Sequence, residues 1–529
     1  MYSTATDSRY HTSVPPDPLA RHRAVLAAHG MVSTAHPLGT LAGVTVLLRG
    51  GTAMDAAVAA AAVHSVVNPG MIGLGGDTLL LYYSAAEGRV VALNATGRAP
   101  RAASLEDYRR RGLTRMPVEG PLALTVPGAL HGWAAALARY GSLPLGVLLE
   151  DAIRHAEEGF PAYTSFLDWV QMAGPRAAAY LVDGRPPRLG APIVQKDLAA
   201  TLRLIAREGP DVFYRGPLGE RLVAALRAAG GLLAMDDLAA HTSEWVEPIA
   251  TDYRGTRVWE TPPNSQGVAL LEQLNILAGL DVAALPVDSP ERVHLQVEVA
   301  RRALDDVARD VTDPAFAAPP LARLLSREHA AGRRASIDPA RAAAAPAGEN
   351  TAHMAVVDRH GNVASFMGSL RNPFGCGVVA GDTGILMQNR GRDFSLDPRS
   401  VNRLEPGKRT RTTLNPVLLT RDGAPRMALA CIGGHQQTQG LQQVLVHHLA
   451  GGLGLQEAIE APRWAIAEDG TLHVEAALAG AAAELERRGH RVVVGRAFFG
   501  ACQAAAIDPA TGARIGASDP RVSGLALGH

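Results

Sequence analysis

The chain has 529 residues and equal numbers of basic and acidic side chains, 51 of each, so it carries no net charge while histidine is neutral. No run of lysine and arginine alternates with aromatic residues, which excludes nucleic acid as an expected partner. The opening residues 1–9 have no apolar core, and the alanine-rich run 56–67 is too short to cross a bilayer. We therefore expect no export and no membrane partner, and predict a cytoplasmic protein.

The glycine-rich segments do not match nucleotide-binding motifs. Residues 73–76 (GLGG) lack the third glycine of the dinucleotide motif, which would fall at Thr78, and they lie between a predicted helix and a strand, the reverse of the required order. Residues 407–410 (GKRT) lack the first glycine of a P-loop, since Asn402 stands there. We therefore predict no nucleotide cofactor.

Metal binding and disulfides are equally unsupported. The eighteen histidines are scattered, and no His-Glu-x-x-His pair occurs. His353 is expected to belong to a strand scaffold. The three cysteines are odd in number and widely spaced, so they are expected to pack rather than to form disulfides or bind a metal: Cys376, Cys431 and Cys502. We predict no metal and no cofactor.

Residues 330–349 are predicted to form a surface loop. This segment combines proline, glycine, alanine and charged residues without sustained apolar periodicity. By composition alone it would be a simple linker between two parts of the fold.

A predicted β-hairpin follows this loop. Residues 351–357 and 363–369 have the pattern of buried strands. The residues between them are of the types that favour a turn, and this turn is centred on His360. With that centre Thr351 lies opposite Ser369. Directly opposed residues have Cβ atoms about 4.5–5.5 Å apart, so the two hydroxyl groups are within reach of a hydrogen bond. Taken alone, such a pair is ordinary in a strand.

A strand, a glycine turn and a helix are predicted further along the chain. Residues 426–432 form an apolar run, Gly433 and Gly434 follow, and residues 436–448 have a helical pattern. Backbone N–H groups at a glycine turn that enters a helix are suited to holding negative charge. The same glycines would also simply allow a tight turn.

The segment 350–395 resembles the γ-glutamyltransferases, in its Asn-Thr-x-His start, its Val-Val-Asp and Gly-Asn turn, its glycine-rich run 375–381 and its closing Arg-Asp-Phe-Ser. These are N-terminal nucleophile hydrolases, made as inactive precursors that cut themselves before a threonine. Similar motifs follow the order of that family along nearly the full chain: residues 50–60, 73–76, 293–314, 432–434, 461–463 and 516–521.

The resemblance implies an α+β fold, a four-layer αββα sandwich. It implies a large subunit of residues 1–350 and a small subunit of residues 351–529, both contributing to one interwoven domain. The two subunits of one precursor are the expected protein partners, and a higher oligomer of this processed heterodimer stays open. Length alone would instead suggest about three or four separate domains.

The resemblance also implies the chemistry. Cleavage between Asn350 and Thr351, by attack of the threonine hydroxyl on the asparagine carbonyl, would give an ester that water hydrolyses. The freed α-amine, with an ordinary pKa of about 7.7–8.0, would then serve as the base for the same hydroxyl. Ser369 is expected to orient the nucleophile. Gly433 and Gly434 are expected to form the oxyanion hole.

The family's substrate contacts carry over in part. Its members bind an α-amine with an aspartate, which Asp393 matches, and orient the α-carboxylate with two serines, which Thr412 and Thr413 match. They bind the carboxylate itself with an arginine. Here Thr96 stands at that place, and Arg98 follows two residues later, on the same face of a continuing strand.

Further departures favour a small carboxylate as substrate. Arg371 and Arg390 replace polar residues near the hairpin and near Asp393, and His435 follows the glycine pair where a small residue is common. Added guanidinium groups favour bidentate carboxylate binding. The Gly-Arg-Ala-Pro variant at residues 97–100 resembles a branch of the family that includes oxamate amidohydrolase.

The sequence therefore predicts a self-processing amidohydrolase that cleaves a small carboxylate-bearing amide, oxamate-like or γ-glutamyl, through a threonyl acyl-enzyme. Three alternatives stay open. One is a true glutathione hydrolase or γ-glutamyl transferase. Another is a biosynthetic hydrolase that cleaves a carbon–carbon bond to release a keto acid, since the same nucleophile can attack a ketone. The third, from a different class, is a scaffold without catalysis.

Overall fold

The computed structural model describes residues 22–342, 351–495 and 498–529. Its strands are β1 (Val25–Ala27), β2 (Met31–Thr34), β3 (Asp77–Ser84), β4 (Arg89–Ala95), β5 (Phe160–Pro161), β6 (Pro192–Ile193), β7 (Glu244–Val246), β8 (Ile249–Tyr253), β9 (Thr256–Glu260), β10 (Ala352–Val357), β11 (Val363–Ser369), β12 (Val417–Arg421), β13 (Ala424–Ile432), β14 (Trp464–Ile466), β15 (Leu472–Val474), β16 (Val492–Val494), β17 (Ala501–Ile507), β18 (Arg514–Ser518) and β19 (Leu525–Gly528).

The α-helices are α1 (Pro37–Leu48), α2 (Ala53–Val67), α3 (Leu105–Arg110), α4 (Ala129–Tyr140), α5 (Leu145–Leu148), α6 (Glu150–Glu158), α7 (Thr164–Ala173), α8 (Lys196–Glu208), α9 (Asp211–Tyr214), α10 (Pro217–Ala228), α11 (Met235–Ala239), α12 (Gly267–Leu277), α13 (Pro290–Asp310), α14 (Leu321–Leu324), α15 (Arg327–Ala335), α16 (Gln436–Leu445), α17 (Leu455–Glu460) and α18 (Ala482–Arg487). Among the described residues, no helix combines the length and the apolar character needed to span a bilayer.

Two seven-stranded sheets form the centre of the molecule. One has the order β1-β18-β17-β13-β12-β9-β8 and the other β19-β2-β10-β11-β3-β4-β7. Each sheet contains strands from before and after Thr351, so the two parts of the chain share both sheets. No cut at this threonine would separate two independent domains.

Helices cover the outer face of each sheet. On one side α1 and α2 pack against β2, β10 and β11, and the alanine-rich run becomes α2, all of whose residues are buried. On the other side α12 and α16 pack against β8 and β13. An apolar cluster that includes Ala355, Leu418 and Ala505 lies between the sheets. The order helix, sheet, sheet, helix confirms the predicted four-layer αββα architecture.

The hairpin has the predicted register. Val357 pairs with Val363 and Ala352 with Gly368, so the centre falls at His360 and Thr351, directly before β10, extends the register to Ser369. The alternation is also as predicted, because odd-numbered residues of β10 face the other sheet and even-numbered ones face the helices.

The turn of the hairpin is held by one carboxylate. Asp358 accepts hydrogen bonds from the backbone N–H groups of His360 and Asn362, at 2.8 and 3.0 Å, and Gly361 between them has a φ of 82°. Its second oxygen accepts from the N–H of Ala53 at 2.9 Å, at the start of α2. The hairpin is thereby fixed to the helix behind it.

The predicted loop 330–349 is partly wrong. Residues up to Ala335 are the last turns of α15, which begins with the side chain of Ser326 as its N-terminal cap. The helix ends before Ile337 and Pro339, where β-branching and proline oppose further helix. The last part of the predicted loop, 343–349, lies outside the described residues.

Buried histidines are expected to make the fold sensitive to mild acid. Burial is the first cause that lowers the pKa of each, to about 3 for His64, His241, His353, His447 and the half-buried His435, and to about 4 for His36 and His490. The unfolded chain takes up protons on these side chains below about pH 6.5, whereas the folded chain does not until about pH 4. The stability that these neutral histidines contribute is thus complete above pH 6.5 and falls with pH below it.

Each such histidine contributes at most about 1.4 kcal/mol of lost stability per pH unit. We expect a lower urea midpoint at pH 5.0 than at pH 7.5, because the seven histidines outnumber the three buried carboxyl groups whose raised pKa acts in the opposite direction: Asp77, Glu260 and Glu272. Equal midpoints at the two pH values would contradict this reading of the buried histidines.

Candidate active site

Thr351 lies directly before β10, and its side chain is fully buried. Its Oγ1 accepts a hydrogen bond from Nε2 of Gln437 at 2.7 Å. Gln437 stands in the first turn of α16, three residues after Gly434. The candidate nucleophile is thus held by the helix that follows the glycine turn.

Ser369 is on the same face of the hairpin as Thr351, but the expected hydrogen bond between their hydroxyl groups is absent among the described residues. Ser369 Oγ accepts from the backbone N–H of Arg371 at 2.8 Å, while Thr351 Oγ1 is bonded to Gln437. The register predicts that the two residues are opposite each other, but it does not predict the hydrogen-bond donor of each hydroxyl.

The strand, turn and helix around the glycine pair form as predicted. β13 ends at Ile432, Gly433 and Gly434 have positive φ angles of 128° and 59°, and α16 begins at Gln436. A Cβ on Gly433 would lie 3.2 Å from the Cα of Gly500. Among the described residues the N–H of Gly434 donates to no backbone or side-chain acceptor. The turn therefore offers a donor three residues before Gln437, whose side chain bonds Thr351.

A buried glutamine joins this turn to the threonine pair. Gln266 Nε2 donates to the carbonyl oxygens of Gly434 and Thr413, at 3.0 and 3.1 Å. Thr412 is also fixed, because its N–H donates to the carbonyl of Asn264 at 2.8 Å. The hydroxyl of Thr413 is buried and has no hydrogen-bond partner in the described chain. The structure thus brings Thr412 and Thr413 to the glycine turn.

Arg371 and Asp393 form a buried bidentate pair. Nε and Nη2 of the arginine lie 2.6 and 2.7 Å from the two carboxylate oxygens. Burial raises the pKa of Asp393, but the charges of Arg371 and Arg390 outweigh it and hold the pKa below its usual range. The carboxylate is ionised and its two oxygens are already bonded.

Arg390 presents unused donors to the same place. Its Nε donates to Asp77 at 3.0 Å, and its Nη1 lies 3.5 Å from a carboxylate oxygen of Asp393. The side chain is 1% exposed, yet Nη1 and Nη2 have no hydrogen-bond partner among the described residues. Buried donors without acceptors cost about 1–3 kcal/mol each, more when charged. An anion bound here would satisfy them.

His435 is next to the glycine turn and near these arginines. Burial, followed by the positive charges of Arg371 and Arg411, lowers its pKa to about 3. The imidazole is therefore neutral in the physiological range. It can donate or accept one hydrogen bond at each nitrogen, but it adds no charge to bind a carboxylate.

The structure does not bring Arg98 to the others. Strand β4 ends at Ala95, so the expectation that Arg98 continues a strand is wrong. Its guanidinium pairs with Glu244 at 2.9 Å and with Asp313 at 3.4 Å. None of these partners contacts Arg371 or Asp393 in the described chain. The predicted cleavage residue Asn350 lies outside the described residues.

Three residues of the site were missed in the sequence: Gln437, Gln266 and Asp77. For Gln437 a signal existed, because the first turn of α16 carries an amide-rich Gln-Gln-Thr-Gln run where an amphipathic helix would have apolar side chains. Asp77 is a charged residue at the start of a fully buried strand. Gln266 has no local signal, since it reaches Gly434 from 168 positions away.

Two groups of buried side chains have metal-ligand composition. They are His294, Glu298 and His490, and Glu272, Asp306 and His329. Glu298 is paired with two arginines at 2.9 and 2.7 Å. Asp306 is bonded to His329 at 3.0 Å and to Arg333 at 2.7 Å. In each group a carboxylate thus already has an arginine as its partner.

Two sheets stacked between helices, with a threonine entering a central strand beside a glycine turn, define an N-terminal nucleophile hydrolase. The structure superimposes on that of a cephalosporin acylase from Bacillus halodurans with a TM-score of 0.92, at 38% identity, covering 98% of this chain and 99% of the other. The family model described as Gamma-glutamyltranspeptidase matches residues 39–529. The chain belongs to the γ-glutamyltranspeptidase family.

Two curated relatives are similar to this chain over most of its length. A glutathione hydrolase-like YwrD proenzyme of Bacillus subtilis is 39% identical over 453 residues, covering 84% of this chain and 86% of the relative. An oxamate amidohydrolase proenzyme of Klebsiella pneumoniae is 36% identical over 532 residues, covering 96% and 100%. The predicted family is confirmed, and the chain is a self-processing amidohydrolase of this family.

Proposed function

We propose that the protein hydrolyses amides whose acyl group ends in a carboxylate, with Thr351 as the nucleophile. Cleavage at 350/351 releases the α-amine of Thr351, which then takes the proton of the hydroxyl as it attacks the acyl carbon. The N–H groups of Gly433 and Gly434 bind the oxyanion. The two products of the cut, residues 1–350 and 351–529, stay together through the shared sheets.

The observation that carries the substrate class is the buried guanidinium of Arg390. Its two terminal nitrogens lack hydrogen-bond partners in the described chain, and they lie beside the Arg371–Asp393 pair. A carboxylate is the ligand whose shape and charge match two parallel N–H donors. Oxamate and glutaryl or γ-glutamyl amides all carry one.

The same geometry disfavours an α-amine on the substrate. The aspartate that would bind it, Asp393, already accepts two hydrogen bonds from Arg371. A substrate ammonium would have to displace one of them, and it would stand among three arginines whose charges reach this carboxylate: Arg371, Arg390 and Arg392. An acyl group with one carboxylate and no amine fits better.

A matched series of anilides tests this proposal on the processed protein. Butyryl, glutaryl and γ-glutamyl p-nitroanilides differ in turn by one carboxylate and by one amine, and oxamate and glutathione complete the set. We expect kcat/KM to be highest for glutaryl among the anilides. A butyryl substrate as good as the glutaryl one would overturn the carboxylate assignment.

Changing Arg390→Lys is expected to lower kcat/KM for the glutaryl anilide by about 10- to 100-fold, because losing charge-assisted hydrogen bonds costs about 1.5–3 kcal/mol. The lysine still offers a positive charge to Asp77, so folding is preserved. The butyryl anilide is expected to be unaffected.

The companion variant is Arg98→Lys, whose guanidinium is engaged by Glu244 and Asp313. We expect Arg98→Lys to change kcat/KM for the glutaryl and butyryl anilides by the same factor. If Arg98→Lys lowered kcat/KM for the glutaryl anilide alone and Arg390→Lys did not, the carboxylate would be assigned to Arg98 instead of Arg390.

A second candidate function is glutathione hydrolysis. Asp393, Thr412 and Thr413 match the γ-glutamyl contacts of the family, and the YwrD relative is named glutathione hydrolase-like. In the anilide series this function requires γ-glutamyl to exceed glutaryl. Formation of a γ-glutamyl–amino acid product on addition of an amino acid acceptor would further separate transfer from hydrolysis, because p-nitroaniline is released in both reactions.

A further inference from the structure

Among the described residues, one side chain donates a hydrogen bond to the hydroxyl of the candidate nucleophile Thr351, and it is that of Gln437. Its Nε2 lies 2.7 Å from Thr351 Oγ1, a short distance for an N–H···O bond. Gln437 is fully buried, and its Oε1 has no partner among the described residues. A buried amide with one group unsatisfied is costly, by about 1–3 kcal/mol, unless it serves another purpose.

We propose that Gln437 is a catalytic residue that donates a hydrogen bond to the oxygen of Thr351 as that oxygen gains negative charge. This inference rests on the proposed role of Thr351 and adds a group to it. Gln437 acts on the nucleophile oxygen, whereas Gly433 and Gly434 act on the oxygen of the substrate carbonyl.

The direction of this hydrogen bond determines where the hydroxyl proton goes. Because Oγ1 of Thr351 accepts from Gln437, its own proton points elsewhere and is available to the α-amine. In the acylation step the bond from Oγ1 to the acyl carbon forms, the proton passes to the α-amine, and the amide nitrogen of the substrate leaves with that proton. The donor on Oγ1 favours the state in which this proton has left.

The position of Gln437 supports this role. It lies in the first turn of α16, where the N–H groups of the helix terminus already favour negative charge. The turn that leads into the helix is fixed by Gln266, which bonds the carbonyl of Gly434 at 3.0 Å. The backbone that leads to Gln437 is therefore held in place, and its amide is fixed by burial and by its bond to Thr351.

The chain offers a matched control on the same helix. Gln442 is also fully buried, also has an unpartnered Oε1, and donates through Nε2 to the carbonyl of Gln296 at 3.3 Å. No hydrogen bond joins it to Thr351 in the described part of the chain. Gln437→Met and Gln442→Met remove comparable amides from comparable surroundings, so only a catalytic contribution distinguishes them.

With the processed protein and its best anilide, we expect Gln437→Met to lower kcat by about 10²-fold with little change in KM, since losing one donor to a developing charge has this size of effect. Self-cleavage of the precursor is expected to slow similarly, because the same hydroxyl attacks. Gln442→Met is expected to retain both rates. Equal rates in the two variants would overturn the inference.

The isosteric variant Gln437→Glu provides a pH signature that a packing role cannot. A protonated glutamic acid donates to Oγ1, whereas the ionised form only accepts. The ratio of its kcat to that of the unmodified enzyme is expected to fall as pH rises from 5 to 8. A ratio that is flat or rises with pH would show that Gln437 does not act as a donor, even if Gln437→Met fails to fold. If Thr351→Ala is uncut while Gln437→Met is fully active, only this inference fails.

Discussion

Changing Thr351→Ala is expected to leave a single full-length chain without amidohydrolase activity. The hydroxyl that would attack at 350/351 is gone, so neither the cut nor the new α-amine can form. Loss of a nucleophile with its base lowers kcat by at least about 10⁴-fold. Denaturing electrophoresis over several days, together with the anilide assay, measures both effects.

The control for this variant is Thr351→Ser, which retains the hydroxyl and removes only a methyl group. It is expected to self-cleave, and sequencing of the smaller fragment is expected to begin at residue 351. A fragment with the same N-terminus from Thr351→Ala would show that another group makes the cut, and the nucleophile assignment would be wrong.

Changing Asp519→Asn is expected to destabilise the fold by about 3–5 kcal/mol, because it leaves a buried arginine without its counter-charge. Asp519 is 1% exposed and lies 2.7 Å from Nη2 of Arg463. Its carboxylate also accepts from the N–H groups of Cys502 and Arg521, at 2.9 and 3.0 Å. Urea unfolding of the purified variant at neutral pH measures the loss.

This ion pair also supports the glycine turn at Gly433 and Gly434. Arg463 Nη1 donates to the carbonyl of Gly500 at 3.1 Å, and Gly500 packs against Gly433. We therefore expect slower self-cleavage in Asp519→Asn in addition to lower stability. If Asp519→Asn were destabilised but cut itself at the rate of the unmodified chain, the Arg463–Asp519 pair would have a structural role only.

A double-mutant cycle distinguishes a broken pair from lost packing. Replacing a whole buried ion pair by apolar residues is often neutral, whereas removing one partner is not. Arg463→Met with Asp519→Leu is therefore expected to be more stable than Asp519→Leu alone. If the double variant were the less stable of the two, the desolvated charge would not be the cause.

Local patterns in the sequence were sufficient for the hairpin and the strand, turn and helix at the glycine pair. Alternating side chains and turn residues fix a register by themselves, so the approach of Thr351 to Ser369 was predicted from the residues alone. The glycine pair was likewise predicted because few other residues adopt its positive φ angles. The four-layer fold and the family followed from motifs that span nearly the full chain.

The partners of the polar side chains were not predicted. Arg98 was expected in the site but is paired with Glu244 and Asp313, while Arg390, three residues before Asp393, is held through its Nε by Asp77, 313 positions away. Local periodicity contains no information on such pairs. Long side chains reach several ångströms and choose partners by burial and charge.

The sequence by itself thus determined the backbone of the site: the hairpin that begins at Thr351, the glycine turn and the family whose chemistry they serve. Only the tertiary structure decided which side chains surround that hydroxyl. It placed Gln437 rather than Ser369 on Thr351 Oγ1, and it paired Arg371 with Asp393 while leaving Arg390 with buried, unused donors. The physical reason is that register follows from local alternation, whereas polar partners are selected when distant segments are buried together.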